Sequence, residues 1–154
     1  KIYIKYGDIH GDVLDANHKN WIEIDSYHFS FQRSATHETG SQKRNIGTPQ
    51  FSTITLTKKI ALSTQQIFTE GVSGSGQNCV IHLVRGADKL AVYMEYKLEN
   101  AVITKYSVNA VGGGAEPIEI SYTSLSSVYT PFDIQGKAGS PRSAGYDISQ
   151  AKRL

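Results

Sequence analysis

The sequence predicts a mainly β fold, an antiparallel β-barrel or two-sheet sandwich with one short α-helix and one long extended loop. Three observations predict it. Nine Tyr and five Phe stand against one Met and four Pro, a bias towards residues that fit a pleated, half-buried surface. About seven apolar runs of strand length follow one another, separated by Gly, Asn and Asp. Only one segment carries both a helix start signal and a stop signal. With 154 residues, 39% hydrophobic and 19% charged, the chain reads as a single domain over 1–154.

Ile2-Tyr3-Ile4-Lys5-Tyr6 opens as a strand and Gly7-Asp8 stops it. Ile9 to Asn20 reads as a polar turn region. From Trp21 to Phe31 the chain alternates, but the aromatic bias changes face near Asp25, which predicts a bulge or sharp bend there. Gln32 to Gln50 is polar and holds Gly40, Gly47 and Pro49, so it reads as a long structureless loop; loops of that length are usually functional or disordered. Phe51 to Thr57 alternates as a strand. Ser63-Thr64-Gln65-Gln66 matches a capping box and Gly71 a terminator, which predicts a helix over about 64–70. Cys79–Arg85, Leu90–Leu98 and Val102–Asn109 read as strands, the last two joined without a true loop. Gly112-Gly113-Gly114 turns the chain into a strand over Pro117–Tyr129, and Tyr146-Asp147-Ile148 adds a last short one.

Charge and cysteine content exclude several classes. Sixteen Lys and Arg against fourteen Asp and Glu give a net charge of +2, with no run of four basic residues, so no nucleic-acid partner is expected. Cys79 is the only cysteine, which rules out an intrachain disulfide; within Cys79-Val80-Ile81 it reads as a small buried hydrophobe. The first thirty residues hold no continuous apolar stretch, and no run approaches about eighteen apolar residues. The expectation is a chain made in the cytosol, without membrane insertion, and free to leave by a route that reads no signal peptide.

The motifs that point towards chemistry are incomplete. Gly7-Asp8-Ile9-His10-Gly11 resembles the first metal-binding block of calcineurin-type metallophosphatases, but two-metal chemistry needs several further ligands, and the later Gly-Asp-x-x-Asp-Arg and Gly-Asn-His-Glu blocks are missing. It reads as a strand-end turn. Asp8, His10, Asp12, Asp15 and His18 do not match an EF-hand, because Gly11 precedes Asp12 and no Glu closes the loop; they read as a solvated polar loop. His28 and His82 read as satisfied strand histidines, and Trp21, Phe29 and Phe31 as core. No Gly-x-Ser-x-Gly elbow leads into a helix, and Gly112–Gly114 lacks the Gly-Lys-Ser/Thr of a phosphate loop. No catalytic, cofactor or metal set emerges, and the expectation is a protein that is not an enzyme.

The order of these segments resembles the haemolysin-coregulated protein (Hcp) family, the tube subunits of bacterial type VI secretion systems. Ile2 to Gly11 is similar to the family's N-terminal strand and its Gly-Asp ending. His18-Lys19-Asn20-Trp21-Ile22-Glu23-Ile24-Asp25-Ser26-Tyr27 resembles its most specific block, His-x-x-Trp-Ile-Glu-hydrophobic-x-Ser-aromatic. Phe51–Lys59 resembles the strand before the single helix, and Leu62-Ser63-Thr64 and Gly71 the helix ends. Tyr93–Val108 resembles the family's long strand pair, Pro117–Tyr122 the strand after it, and Gly145-Tyr146-Asp147-Ile148 its close.

The resemblance implies a non-enzymatic building block without cofactors. Family members form homohexameric rings that stack into a hollow tube inside a contractile sheath. A spike protein (VgrG-like) caps the tube, and effector cargo can ride in the lumen. The implied locations are the bacterial cytoplasm, in the assembled apparatus, and the outside of the cell. The loop over about 34–50 would be the arm that docks on neighbouring subunits, through His37, Glu38, Gln42, Lys43, Arg44, Asn45 and Ile46. A phage-type tail tube protein would share the fold. A small carbohydrate-binding β-domain would instead use exposed aromatics such as Tyr96 or Tyr106. A toxin-bearing variant would need a further domain, for which the 25 residues after Tyr129 are too few.

Overall fold

The computed structural model describes all residues, 1–154. The chain opens with β1 (Ile2–Tyr6), whose alternation turns Ile4 and Tyr6 inwards and Tyr3 and Lys5 to the other face. β2 (Ile22–Ile24) pairs antiparallel with β1, Ile2 opposite Ile24. At Asp25 the strand breaks and the Asp25 N–H bonds the Thr57 carbonyl at 2.7 Å. The next residues, β3 (Ser26–His28), pair with β8 (Ile54–Lys58) in a different sheet. The predicted bend at Asp25 is thus the corner where the chain changes sheets.

A second corner lies in β10 (Ala91–Tyr106), which confirms that the two predicted strands join without a loop. Its first half pairs with β9 (Gln77–Arg85) and with β12 (Ser124–Tyr129). Its second half pairs with β11 (Glu116–Ser121). Between the halves the β9 register slips and Asn100 takes φ 53°, a left-handed turn that Asn tolerates better than most residues. One sheet therefore runs β2-β1-β9-β10-β12 and continues through β13 (Arg142–Asp147) to β14 (Lys152–Arg153); the other runs β10-β11-β8-β3. The hydrogen-bonded path is open at its ends. Of the two predicted architectures, the fold is two sheets with shared corners and not a closed barrel. The stretch predicted as one strand, 117–129, folds into two, with the turn at Tyr122-Thr123.

The main core fills the space between the sheets, with Ile54, Leu56, Ile81, Leu98 and Ile120 essentially inaccessible to water. Cys79 is among them, and burial pushes its thiol pKa well above the ordinary value, as expected of an inert small hydrophobe. α1 (Thr64–Ser73) adds Ile67 to this core. The helix runs three residues past its predicted end because Gly71 lies inside it; a Cβ there would stand 3.5 Å from Ile103. Gly74 is the terminator, its N–H bonded to the Glu70 carbonyl at 2.8 Å. The capping box is not formed. Ser63 is helical and its hydroxyl has no partner, while Thr64 Oγ1 accepts the Ala61 N–H at 2.9 Å and Gln66 Oε1 accepts the His10 N–H at 2.9 Å.

Residues 11–20 are not a solvated turn. They form a strap across the outer face of β1 and β9, and Val13 joins Tyr3 and Val84 in a small second core edged by Trp21, Leu90 and Val92. The strap is closed by Gly11 N–H to Asn20 carbonyl (2.8 Å) and Asn20 N–H to Val13 carbonyl (2.9 Å). Gly11 is required here, since a Cβ would collide with the Trp21 carbonyl.

Candidate functional site

The stretch predicted as structureless is a β-ribbon arm. At its base β4 (Phe31–Gln32) pairs with β7 (Gln50–Phe51); farther out β5 (Ala35–His37) pairs with β6 (Arg44–Ile46). The seven residues expected to make contacts all lie on its outer part. Ile46 stands opposite Ala35, Asn45 opposite Thr36 and Arg44 opposite His37. Gln42 is in the tip, where the Glu38 N–H bonds the Lys43 carbonyl at 3.3 Å, and Gly40 supplies φ 78°. No residue of the arm from 31 to 50 is buried. Lys43, Arg44 and Glu38 have no ion-pair partner within the chain, so their charges are free for another surface.

Phe31 is 60% exposed and is not a core residue. It stacks on Phe51 (5.2 Å between ring centroids), which stacks on Tyr146 (5.1 Å). With Phe29, Pro49 and Leu125 these rings line an apolar hollow of about 280 Å³ where the arm leaves the body. Phe29 is half-buried against the main core, and Trp21 half-buried over the small one. Tyr96 packs against Tyr27 and Phe29 at 5.1 and 5.5 Å. The Tyr106 hydroxyl donates to Glu116. Neither tyrosine is a free platform for a sugar ring, contrary to the expectation for a carbohydrate-binding domain.

Two polar clusters were not foreseen. The first is the pair Lys58–Glu116, 2.5 Å apart and 1% and 0% exposed. Lys58 also donates to the Lys59 carbonyl at 2.7 Å, and Thr64 Oγ1 donates to Glu116 at 2.8 Å. Burial pushes the Glu116 pKa up, but donors from Lys58, Tyr106 and Thr64 outweigh it, and the carboxyl lies below its ordinary range. Tyr106 is pushed up to about 12, by burial and then by the Glu116 carboxylate beside it. A sequence signal existed. Ile54, Leu56 and Lys58 share one strand face, as do Glu116, Ile118 and Ile120, so opposite charges end two apolar faces and meet across the ladder. The cluster ties the start of α1 to both strands.

The second cluster is built on the strap. His18 is 3% exposed, bonded to Asp15 at 2.6 Å and to His82 at 2.8 Å; His82 in turn reaches Glu95 at 2.7 Å. His82 is therefore the satisfied strand histidine expected, whereas His18 and Asp15 are not loop residues in water. Of Asp8, His10, Asp12, Asp15 and His18, only the last two are hydrogen-bonded to each other. No group of three or more His, Cys, Asp or Glu converges to hold a metal ion. No helix is long and apolar enough to cross a membrane.

A two-sheet body with one helix, a sheet-switching long strand and a projecting ribbon is the architecture of type VI secretion proteins. A type six secretion system protein of 25% identity superimposes with a TM-score of 0.92, over 99% of this chain and 98% of its own. Hcp1 from Salmonella typhimurium, 22% identical, gives 0.80 over 99% and 97%; a type VI secretion system effector from Yersinia pestis, 20% identical, gives 0.72 over 96% and 100%. At those two identities the likeness concerns the fold. No curated protein is significantly similar in sequence. The sequence model described as "Type VI secretion system effector, Hcp" matches residues 3–129. The chain belongs to the Hcp family.

Proposed function

We propose that the chain is a structural subunit of the type VI inner tube and does no catalysis. It assembles into six-membered rings that stack into a hollow conduit within the contractile sheath, beneath a spike protein. It is secreted with the tube or carries effectors in the lumen. Beyond family membership, the observation that supports this reading is the arm. A two-stranded ribbon is marginal in water unless another surface covers it, and here no residue of 31–50 is fully buried by the chain's own body, and all six residues of the outer pair β5–β6 are exposed. A second copy supplies that cover, and a head-to-tail contact of this kind either closes into a ring or runs on as a filament. His37, Glu38, Gln42, Lys43, Arg44, Asn45 and Ile46 make the contact in this reading.

Native mass spectrometry at two salt concentrations, followed by negative-stain imaging, tests it. Six-subunit species seen as hollow rings are the expected result, and a strict monomer at high concentration overturns it. The double variant Lys43→Glu, Arg44→Glu tests the arm. It should weaken ring contacts and secretion; if both stay intact, the arm is not the docking element.

A further inference from the structure

The chain Asp15–His18–His82–Glu95 poses a proton-counting problem. Its three contacts, 2.6, 2.8 and 2.7 Å, use all four ring nitrogens. With both carboxylates ionised, two neutral imidazoles supply only two N–H groups for three bonds. Three protons satisfy every bond: His18 donates from Nδ1 to Asp15 and from Nε2 to His82 Nδ1, and His82 donates from Nε2 to Glu95. A fourth proton sets two N–H groups against each other at the 2.8 Å contact.

The surroundings fit one shared positive charge and not two. Tyr3 and Lys5 of β1, Glu23 of β2, and Glu95 and Lys97 of β10 share the outer face with His82. The strap adds Asp12 and Asp15, the turn after β9 adds Asp88, and the N-terminal residue adds the Lys1 side chain and ammonium, all bordering the hollow beside Tyr3; Lys19 also lies on the strap. The two charges in direct contact with the rings, Asp15 and Glu95, are both acidic, which favours a single imidazolium between them. Burial lowers the His82 pKa, and although Glu95 opposes this, the His18 and Lys97 charges add to it. The Tyr3 and Trp21 rings enclose His18 at 4.9 and 4.8 Å, and Trp21 lies over His82 at 4.7 Å.

We propose that this four-residue chain is an acid-released latch: near neutral pH it fastens the strap of residues 11–20 to the outer face of β1 and β9, and uptake of one more proton by His82 frees the strap. The inference rests on the fold and is independent of the tube reading. Its sign follows from linkage. His82 binds protons less readily folded than unfolded, so the latch holds above the ordinary imidazole range and is lost as pH falls through the lowered folded value.

Trp21 is the only tryptophan and reports the latch directly. Between about pH 7.5 and about pH 5, its emission should shift to the red, and hydrogen-exchange protection of the Val13 and Asn20 amides should fall about tenfold, while β1–β9 ladder amides keep theirs. In His82→Gln both strap readouts should be flat over the same range. In Glu95→Gln the transition should move to lower pH, because the group that raises the His82 pKa is neutralised. Should His82→Gln fail to fold, nitrogen-15 spectra of the wild-type protein decide, with three ring protons shared across the His18–His82 pair near neutral pH and His82 Nδ1 accepting. Loss of protection throughout the sheet at the same pH overturns the latch, as does an unchanged transition in His82→Gln, a shift to higher pH in Glu95→Gln, or two neutral histidines at neutral pH.

Discussion

Strands β8 and β11 and strands β5 and β6 are both antiparallel pairs with an unbroken register, yet they lie in opposite surroundings. Across the first, Ile54 faces Ile120, Leu56 faces Ile118 and Lys58 faces Glu116, and all six are buried. Across the second, Ala35 faces Ile46, Thr36 faces Asn45 and His37 faces Arg44, and all six are exposed. Each ladder hydrogen bond contributes only about 0.5–1.5 kcal/mol net, against about 1–2 kcal/mol of backbone entropy per ordered residue. The ladder alone does not hold a ribbon in place. Burial does so in the body, and the outer arm has none within the chain.

The largest effect should follow from breaking the body's buried pair. Glu116→Ala leaves the Lys58 ammonium buried and unpaired and should cost about 3–5 kcal/mol in urea unfolding of the isolated chain, whereas Lys58→Met with Glu116→Leu should recover most of it. If Glu116→Ala is nearly neutral, Lys58 escapes to water and the contrast with the arm weakens. Acid should produce part of the same loss. The Glu116 pKa is depressed in the folded chain, so its contribution is complete above the unfolded carboxylate range and disappears as pH falls through the folded value. Unfolding midpoints measured down that range should fall more steeply in the wild type than in Glu116→Gln. The smallest effect belongs to the arm. Ile46→Ser should alter the stability of the isolated chain by no more than about 0.5 kcal/mol while lowering the ring population at equal concentration. A loss above about 1 kcal/mol in the isolated chain would mean that the arm leans on its own body.

What the sequence disclosed follows the same division. Where a face is buried, alternation is enforced and visible: the switch at Asp25 and the continuity of β10 were both legible from apolar and aromatic spacing. Where nothing is buried, either neighbour is acceptable at each position, so β5 and β6 left no period and read as a loop. The strap was hidden for a different reason. Asp15 and His18 meet within a turn, but the partner that gives them meaning, His82, is 64 residues beyond His18 and comes from another strand. Ser63 misled because a capping pattern is local, whereas the hydroxyl of Thr64 is drawn to the Ala61 amide and the buried Glu116. Of the proposed contact surface, the sequence singled out the segment and its polar residues, but not its ribbon form nor the stacked Phe31, Phe51 and Tyr146 from which it projects.

Because β10 belongs to both sheets, it also governs how the body carries force. For one sheet to slide past the other, the sixteen residues from Ala91 to Tyr106 must bend at Asn100 or tear from β9, β11 or β12 together. A load along this strand is shared by several hydrogen bonds in shear, and no two of them open in sequence as in a zipper. A compliant point is the left-handed Asn100, where the ladder to β9 is already interrupted. The long strand is thereby a stiff strut that flexes at its corner between the sheets.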